Sequence, residues 1–304
     1  MEISQILANS FVRAAELSLL AIGLTMVYDI LKFANFAHTD YAILGAFLVY
    51  LFNRTLGLNL FFSVLLAAFI TGIVGIGIDK AVFKPLRRME AKVVTSMICS
   101  LGIAIALRNI VRLIWTSGTK TYALPLMRPL EILGARLTPV QIGIIFTGFI
   151  SMVAFHLLLH RTKFGKALRA ISDNRVLASA CAIDSERMIR WMWFVACSYG
   201  VMGGTMIATE HLLYPRLGFD IIIPVFCAAI LGGIGNPYGA MLGALTLALA
   251  ENIVLALDFG YLASLNGLFH FGSIQISTGY KPAISFVMLI AVLLLRPTGI
   301  LGKK

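Results

Sequence analysis

Six polar side chains crowd into twelve positions of an otherwise apolar stretch: Asp29, Lys32, Asn35, His38, Thr39 and Asp40, within DILKFANFAHTDYAILGAF. Such a cluster forms either a polar turn at a membrane surface or a helix broken inside the membrane. In a broken helix the freed N–H and C=O groups are tolerated only inside protein or along a wet path. A second interruption comes late, in LGGIGNPYGAMLGA, which carries Gly232, Gly233, Gly235, Gly239, Gly243 and Pro237. Glu251 and Asn252 follow it within an apolar run. A polar solute crossing a bilayer must have its hydration replaced, and each unmatched polar group costs on the order of several kcal/mol. Broken helix ends offer N–H and C=O groups without adding full charges. The two breaks are therefore the candidate walls of a translocation path, with Asn35, His38 and Asp40 on the early side. Gly232, Gly233, Gly235, Glu251 and Asn252 stand on the late side. The alternative is that Asn35 and His38 only satisfy backbone groups at a turn.

Other chemistry has little support. No GxxxxGK[ST] occurs; Phe164-Gly165-Lys166-Ala167 lacks the upstream Gly and the Ser/Thr, so no P-loop ATPase is expected on this chain. GxSxG, HExxH and GxGxxG are missing too, and the histidines at 38, 156, 160, 211 and 270 are scattered. Cys99, Cys181, Cys197 and Cys227 show no CxxC spacing and read as small apolar fillers. No cofactor or metal is expected on the chain.

The longest polar, helix-forming piece is Arg161–Asp184, RTKFGKALRAISDNRVLASACAID, with seven Lys/Arg between Arg161 and Arg190. In a membrane protein that density marks the cytoplasmic side. Ser172 or Asp173 could cap a short helix on which Val176, Leu177 and Ala180 share an apolar face. Two readings stay open on these residues alone: a helix that docks a soluble partner, or a solvated loop whose charges fix topology.

Composition sets the solvent of these elements. The chain has 304 residues, is 59% hydrophobic and 13% charged, with a mean hydropathy of +0.91. A soluble domain could not hide that much apolar surface, so lipid must solvate much of it. The net charge of +11 is concentrated at Lys80–Lys92, Arg161–Arg190 and Arg296–Lys304, a topology signal rather than a nucleic-acid patch. Met1–Ser10 lacks the basic start of a cleavable signal peptide.

Apolar runs then predict spans at Phe11–Ile30, Tyr41–Phe52 (short), Leu58–Ile78, Val93–Trp115, Val140–Leu159, Trp191–Thr209 and Pro282–Leu295. Ile221–Ala250 reads as two short helices meeting at the glycine turn. The expected class is an all-α polytopic membrane protein with eight or nine transmembrane helices and two discontinuous regions, forming a single transmembrane domain over 1–304. Alternating the sides puts the N-terminus outside and the C-terminus in the cytoplasm, with Ser117–Thr138 and Asp258–Lys281 as outer loops. Arg13 and Glu16, three apart on the first span, can pair and snorkel. Arg112 can snorkel too, and Arg108 can pair with Glu16 or Glu251.

Four blocks, in order, carry a resemblance. Gly23–Phe47 resembles the GLTLIYG…NFAHGDF..LGA block of bacterial branched-chain amino acid ABC transporter permeases. Arg161–Asp184 resembles their RTxxGRALRAxxxDxxxAxxxGI cytoplasmic motif, Leu231–Gly243 their LGGxGxxxGAxxG stretch and Arg296–Gly302 their terminal RPxGLFG. The resemblance implies a permease subunit in the bacterial inner membrane. Its partners would be a second permease subunit of similar fold, two cytoplasmic ABC ATPases that bind ATP and Mg, and a periplasmic solute-binding protein. Branched-chain amino acids are the cargo it implies, with urea, short amides or another small polar solute as the alternative within the family and an ion-coupled secondary transporter outside it. It also implies that Gly165, Arg169, Ala170, Asp173, Arg175, Ala178 and Ala180 belong to the ATPase-contacting element. Asp29, Lys32, Thr39 and Ala182 depart from the family pattern; Ala182 stands for the usual glycine, where a left-handed residue would disfavour Ala.

Overall fold

The computed structural model describes residues 3–125, 127–132, 134–257, 277–296 and 298–301. Most of the outer loop expected at Asp258–Lys281 thus lies outside the described residues, as do 297 and 302–304 of the basic tail.

The centre is α1, Ile3–Leu31. Apart from the polar group Ser10, Arg13 and Glu16, it carries buried apolar residues around its middle, as suits a helix surrounded by other helices. Its spanning window is 83% buried, against 22% for α5 (Val93–Trp115), which lies on the outside. Around α1 pack α11 (Pro237–Ala256), α9 (Ser185–Glu210), α6 (Pro139–Arg161) and α10 (Leu217–Gly232). Next to α9 lie α2 (His38–Tyr50) and α3 (Leu60–Ile78), and α12 (Lys281–Leu295) rests on α10 and α11. A small hairpin, β1 (Leu130–Ile132) with β2 (Ala135–Leu137), sits over the first turns of α1: Ser4 Oγ donates to the Gly134 carbonyl and Gln5 Nε2 to the Arg136 carbonyl.

Among the described residues, six helices are long and apolar enough to cross a membrane: α1, α3 with its continuation to Arg88, α5, α6, α9 and α11. The apolar helices α10 and α12 are shorter, and α2 has 13 residues followed by a π-helical turn at Leu51–Thr55. The helices break at residues 32–37 and again between α10 and α11.

The chain that follows the span predicted to end at Ile78, where the Lys80–Lys92 cations begin, stays helical as far as Arg88. A π-helical turn, Asp79–Phe83, leads straight into α4, Lys84–Arg88. Burial of Asp79 explains it: its carboxylate takes Nη1 and Nη2 of Arg87 at 2.6 and 3.2 Å, which holds the arm against the bundle. Phe83, on the same turn, stacks on Trp193 of α9 at 5.2 Å.

Two short helices follow α6, α7 (Lys163–Asp173) and α8 (Arg175–Ala180); α8 shares Glu186 of α9 with α4 at one end of the bundle, here called the basic end.

Candidate functional site

The basic segment folds as a corner. Thr162 caps α7 by accepting from the Gly165 amide at 3.1 Å, and Asn174 caps α8 by accepting from Leu177 N–H at 3.0 Å. The cap of the second helix is therefore Asn174 and not Ser172 or Asp173, because α7 runs on through both. Gly165, Leu168 and Ile171 form the buried stripe of α7, three apart, while Lys163, Lys166 and Arg169 face out. A side chain on Gly165 would overlap the backbone of Leu159, so only glycine lets α7 fold back against the end of α6. Ala178 is also turned inward, and Ala170 is half-buried. Asp173, Arg175 and Ala180 are exposed with Arg169.

Val176 and Leu177 are 81% and 62% exposed. The expected apolar face is there, but it points away from the bundle. Behind it α8 closes with a left-handed residue. Ala182 has φ +62°, its amide reaches the Ser179 carbonyl at 3.1 Å, and Ile183 N–H reaches the Ala178 carbonyl at 3.1 Å. That is the paired 5→2 and 6→1 bonding in which glycine is usual. Alanine holds it here, at the conformational cost that the sequence departure suggests.

Glu186 is a residue that no motif or spacing rule marks. It accepts from Arg175 at 2.7 Å and from Arg87 at 3.3 Å, and Lys84 Nζ lies 3.8 Å away. One carboxylate thus joins α8, α4 and the start of α9.

The early break resolves into three separate functions. Asn35 closes a turn: its Oδ1 accepts from Ala37 N–H at 3.1 Å and its carbonyl from His38 N–H at 3.3 Å. His38 is buried between α1 and α9 in a space left by two glycines. A side chain at Gly23 would come within 2.6 Å of its ring, and one at Gly200 within 3.5 Å. Asp40 alone reaches outward. Its two oxygens take Nε and Nη2 of Arg108 on α5 at 3.2 and 3.1 Å. Arg108 thus pairs with Asp40, not with Glu16 or Glu251, because α5 lies beside α2 on the outer wall, away from the α1–α11 seam.

The late break lies at the basic end. Gly233 and Gly235 take φ of +108° and +88°, and the backbones of Gly232 and Gly239 touch as α10 turns into α11. Asn236 caps α11, accepting from Tyr238 and Gly239 amides at 3.0 and 3.2 Å. The chain end covers the turn: Ile300 and Leu301 amides donate to the carbonyls of Leu231 and Gly232 at 2.8 and 3.0 Å.

Glu251 and Asn252 are elsewhere again, in the seam between α11 and α1. Arg13 donates to Glu251 and to Glu16, both at 3.3 Å, and Ser285 Oγ of α12 donates to Glu251 at 2.5 Å. Asn252 Nδ2 donates to Ser10 Oγ at 3.2 Å. Arg13 does not snorkel: it is 7% exposed and Glu16 is 0%, since helices surround α1 at that level and leave no path to a headgroup. The residues named as one route therefore occupy three places, a packed break, a glycine turn at the basic end and a buried ionic seam. Of these, Asp40 alone joins a partially exposed polar group.

The chain matches the family model described as "Branched-chain amino acid transport system / permease component" over residues 6–293. It is 31% identical over 311 residues to the high-affinity branched-chain amino acid transport system permease protein LivH of Salmonella typhimurium, covering 97% of this chain and 94% of that one. BraD of Pseudomonas aeruginosa, a permease protein of the same description, is 30% identical, with 98% and 95% covered. A probable LivH of Methanocaldococcus jannaschii is 29% identical, with 98% and 92% covered. With a match across nearly its whole length and apolar helices long enough to span a bilayer, this chain belongs to the permease-component family of branched-chain amino acid transport systems.

Proposed function

We propose that this chain is the membrane subunit through which a binding-protein-dependent ABC importer passes branched-chain amino acids. Separate cytoplasmic ATPases, which bind ATP and Mg, drive it, and a second permease of similar fold completes the path. A periplasmic solute-binding protein delivers the cargo at the end opposite the basic segments. In this reading the chain lies in the inner membrane with its N-terminus outside and its C-terminus in the cytoplasm. The observation that carries the coupling is the corner made by α7 and α8. Gly165, Leu168, Ile171 and Ala178 clasp it to the bundle, while Val176 and Leu177 stand out among Arg169, Arg175 and Lys166. An apolar pair held rigidly at a polar end suits insertion into a groove of a soluble protein, with the arginines supplying charge-assisted hydrogen bonds at the rim. Gly165 and Ala178 contribute by placing the corner, not by contact.

The ion-coupled alternative would need buried carboxylates free to bind a cation. Glu16 and Glu251 both face Arg13, and Asp40 faces Arg108, which supports the ATP-driven reading. Leucine uptake into proteoliposomes holding both permeases and the ATPases tests the proposal. Uptake that requires both the binding protein and ATP supports it; uptake driven by an ion gradient without ATP sinks it. Urea or a short amide transported in place of leucine would move the cargo within the family.

A further inference from the structure

Where α10 begins, two guanidiniums face one aromatic ring, and each is paired with an aspartate. Arg216 Nε lies 3.4 Å from Asp220 Oδ1, and Tyr214 donates to the other oxygen of Asp220 at 2.9 Å. The Arg216 guanidinium is 5.5 Å from the ring centre of Phe219, and the Arg108 guanidinium is 5.1 Å from the same ring. Arg108 in turn holds Asp40 through two hydrogen bonds. Gly218 makes room for that carboxylate: a side chain there would meet Asp40 Oδ1 at 3.0 Å.

Exposure falls stepwise along this series. The side chains are 63% exposed at Arg216, 34% at Asp220, 18% at Arg108 and 2% at Asp40. Signs alternate along it: plus, minus, plus, minus. A brace between helices needs only its buried pair. It does not require a second ion pair outside, nor two guanidiniums within reach of one half-exposed ring. Arg108 also sits well inside a spanning helix, where an ionised side chain marks a solute or ion path more often than a fold contact.

We propose that Arg216, Asp220, Arg108 and Asp40 form a charge ladder that receives a small zwitterion and passes it inward to the start of α2. The solute's carboxylate exchanges onto a guanidinium while its ammonium exchanges onto the neighbouring aspartate, so each step replaces one ion pair by two of the same kind. Phe219 offers apolar contact to the solute's side chain and a π face to its ammonium. No charge is left bare at any stage, which keeps the desolvation barrier low. The inference rests on the import of a zwitterionic amino acid read above, and it names the residues of this chain that handle it.

The test is leucine uptake in proteoliposomes carrying the assembled importer and its loaded binding protein, read as leucine moved per ATP hydrolysed. Arg216→Gln and Arg108→Gln are each expected to lower that ratio by about tenfold, the effect of one lost charge-assisted hydrogen bond in the transfer step. The swapped pair Asp40→Arg with Arg108→Asp restores a helix brace but reverses the order of charge, and it is expected to stay as slow as the single variants. Normal leucine-to-ATP ratios in Arg216→Gln and Arg108→Gln overturn the ladder. So does a swapped pair that recovers full coupling, which would make Asp40 and Arg108 a brace. If Arg108→Gln does not assemble, Arg216→Gln, lying at the exposed end, decides. Wild-type vesicles that move no leucine at all would instead overturn the cargo reading.

Discussion

Gly165 lies directly against the backbone of Leu159, close enough that a methyl group at its Cα would overlap the Leu159 carbonyl. This contact sets the angle at which α7 leaves α6, and so places the apolar pair on α8. Gly165→Val is expected to push α7 off the bundle, at about 1–3 kcal/mol of overpacking. The measurements are the thermal midpoint of the purified chain and co-purification of the ATPases, both of which should fall.

The outward pair separates contact from placement. Val176→Asp with Leu177→Asp should leave the thermal midpoint unchanged, since both side chains are already exposed, and abolish ATPase co-purification. Ala178→Leu should do the reverse in part: its side chain is 4% exposed, so a larger one destabilises the corner by about 1–3 kcal/mol. Retained co-purification in the double aspartate variant would remove this face from the interface.

Ala182 supplies a gain-of-stability test. At φ +62° an L-residue is disfavoured by about 1–2 kcal/mol relative to a favoured conformation, and glycine is relieved of most of that. Ala182→Gly is expected to slow hydrogen exchange of the Ile183 amide, which closes the turn onto the Ala178 carbonyl. Faster exchange would mean that the added backbone freedom outweighs the relief.

Arg13 lies between Glu16 and Glu251 with all three buried. Arg13→Met takes the bonded guanidinium from two buried carboxylates, and breaking such a pair costs about 3–5 kcal/mol. Unfolding in detergent should show that loss. A snorkelling arginine would cost under about 1 kcal/mol, so a small effect would return Arg13 to the surface.

Cys181 tests the sidedness. It is exposed, whereas Cys197 and Cys227 are buried. With the other three cysteines replaced by alanine, Cys181 should react with an impermeant maleimide in inside-out vesicles and not in intact cells. Labelling from outside would invert the orientation.

Sequence alone determined the solvent, the helical class and the places where the chain breaks. Apolar runs of spanning length, the polar crowd at Asp29–Asp40, the glycine turn at Leu231–Gly243 and the grouped cations are local patterns, and local patterns survive without knowing any neighbour. The four family blocks are local as well. Tertiary structure decided which polar residues share a place. Periodicity on α1 puts Arg13 and Glu16 on one face, but only the packing of α11 beside that face brings Glu251 to them and closes the way to water. The same holds for Asp40, whose partner is 68 residues away on a helix that no spacing rule connects to it. It holds for Val176 and Leu177, whose apolar face could have turned either way. Inward turning of Ala178, fixed by contact with the rest of the bundle, sends them out. Burial and pairing are properties of neighbours, and neighbours across a helix bundle are chosen by packing rather than by distance along the chain.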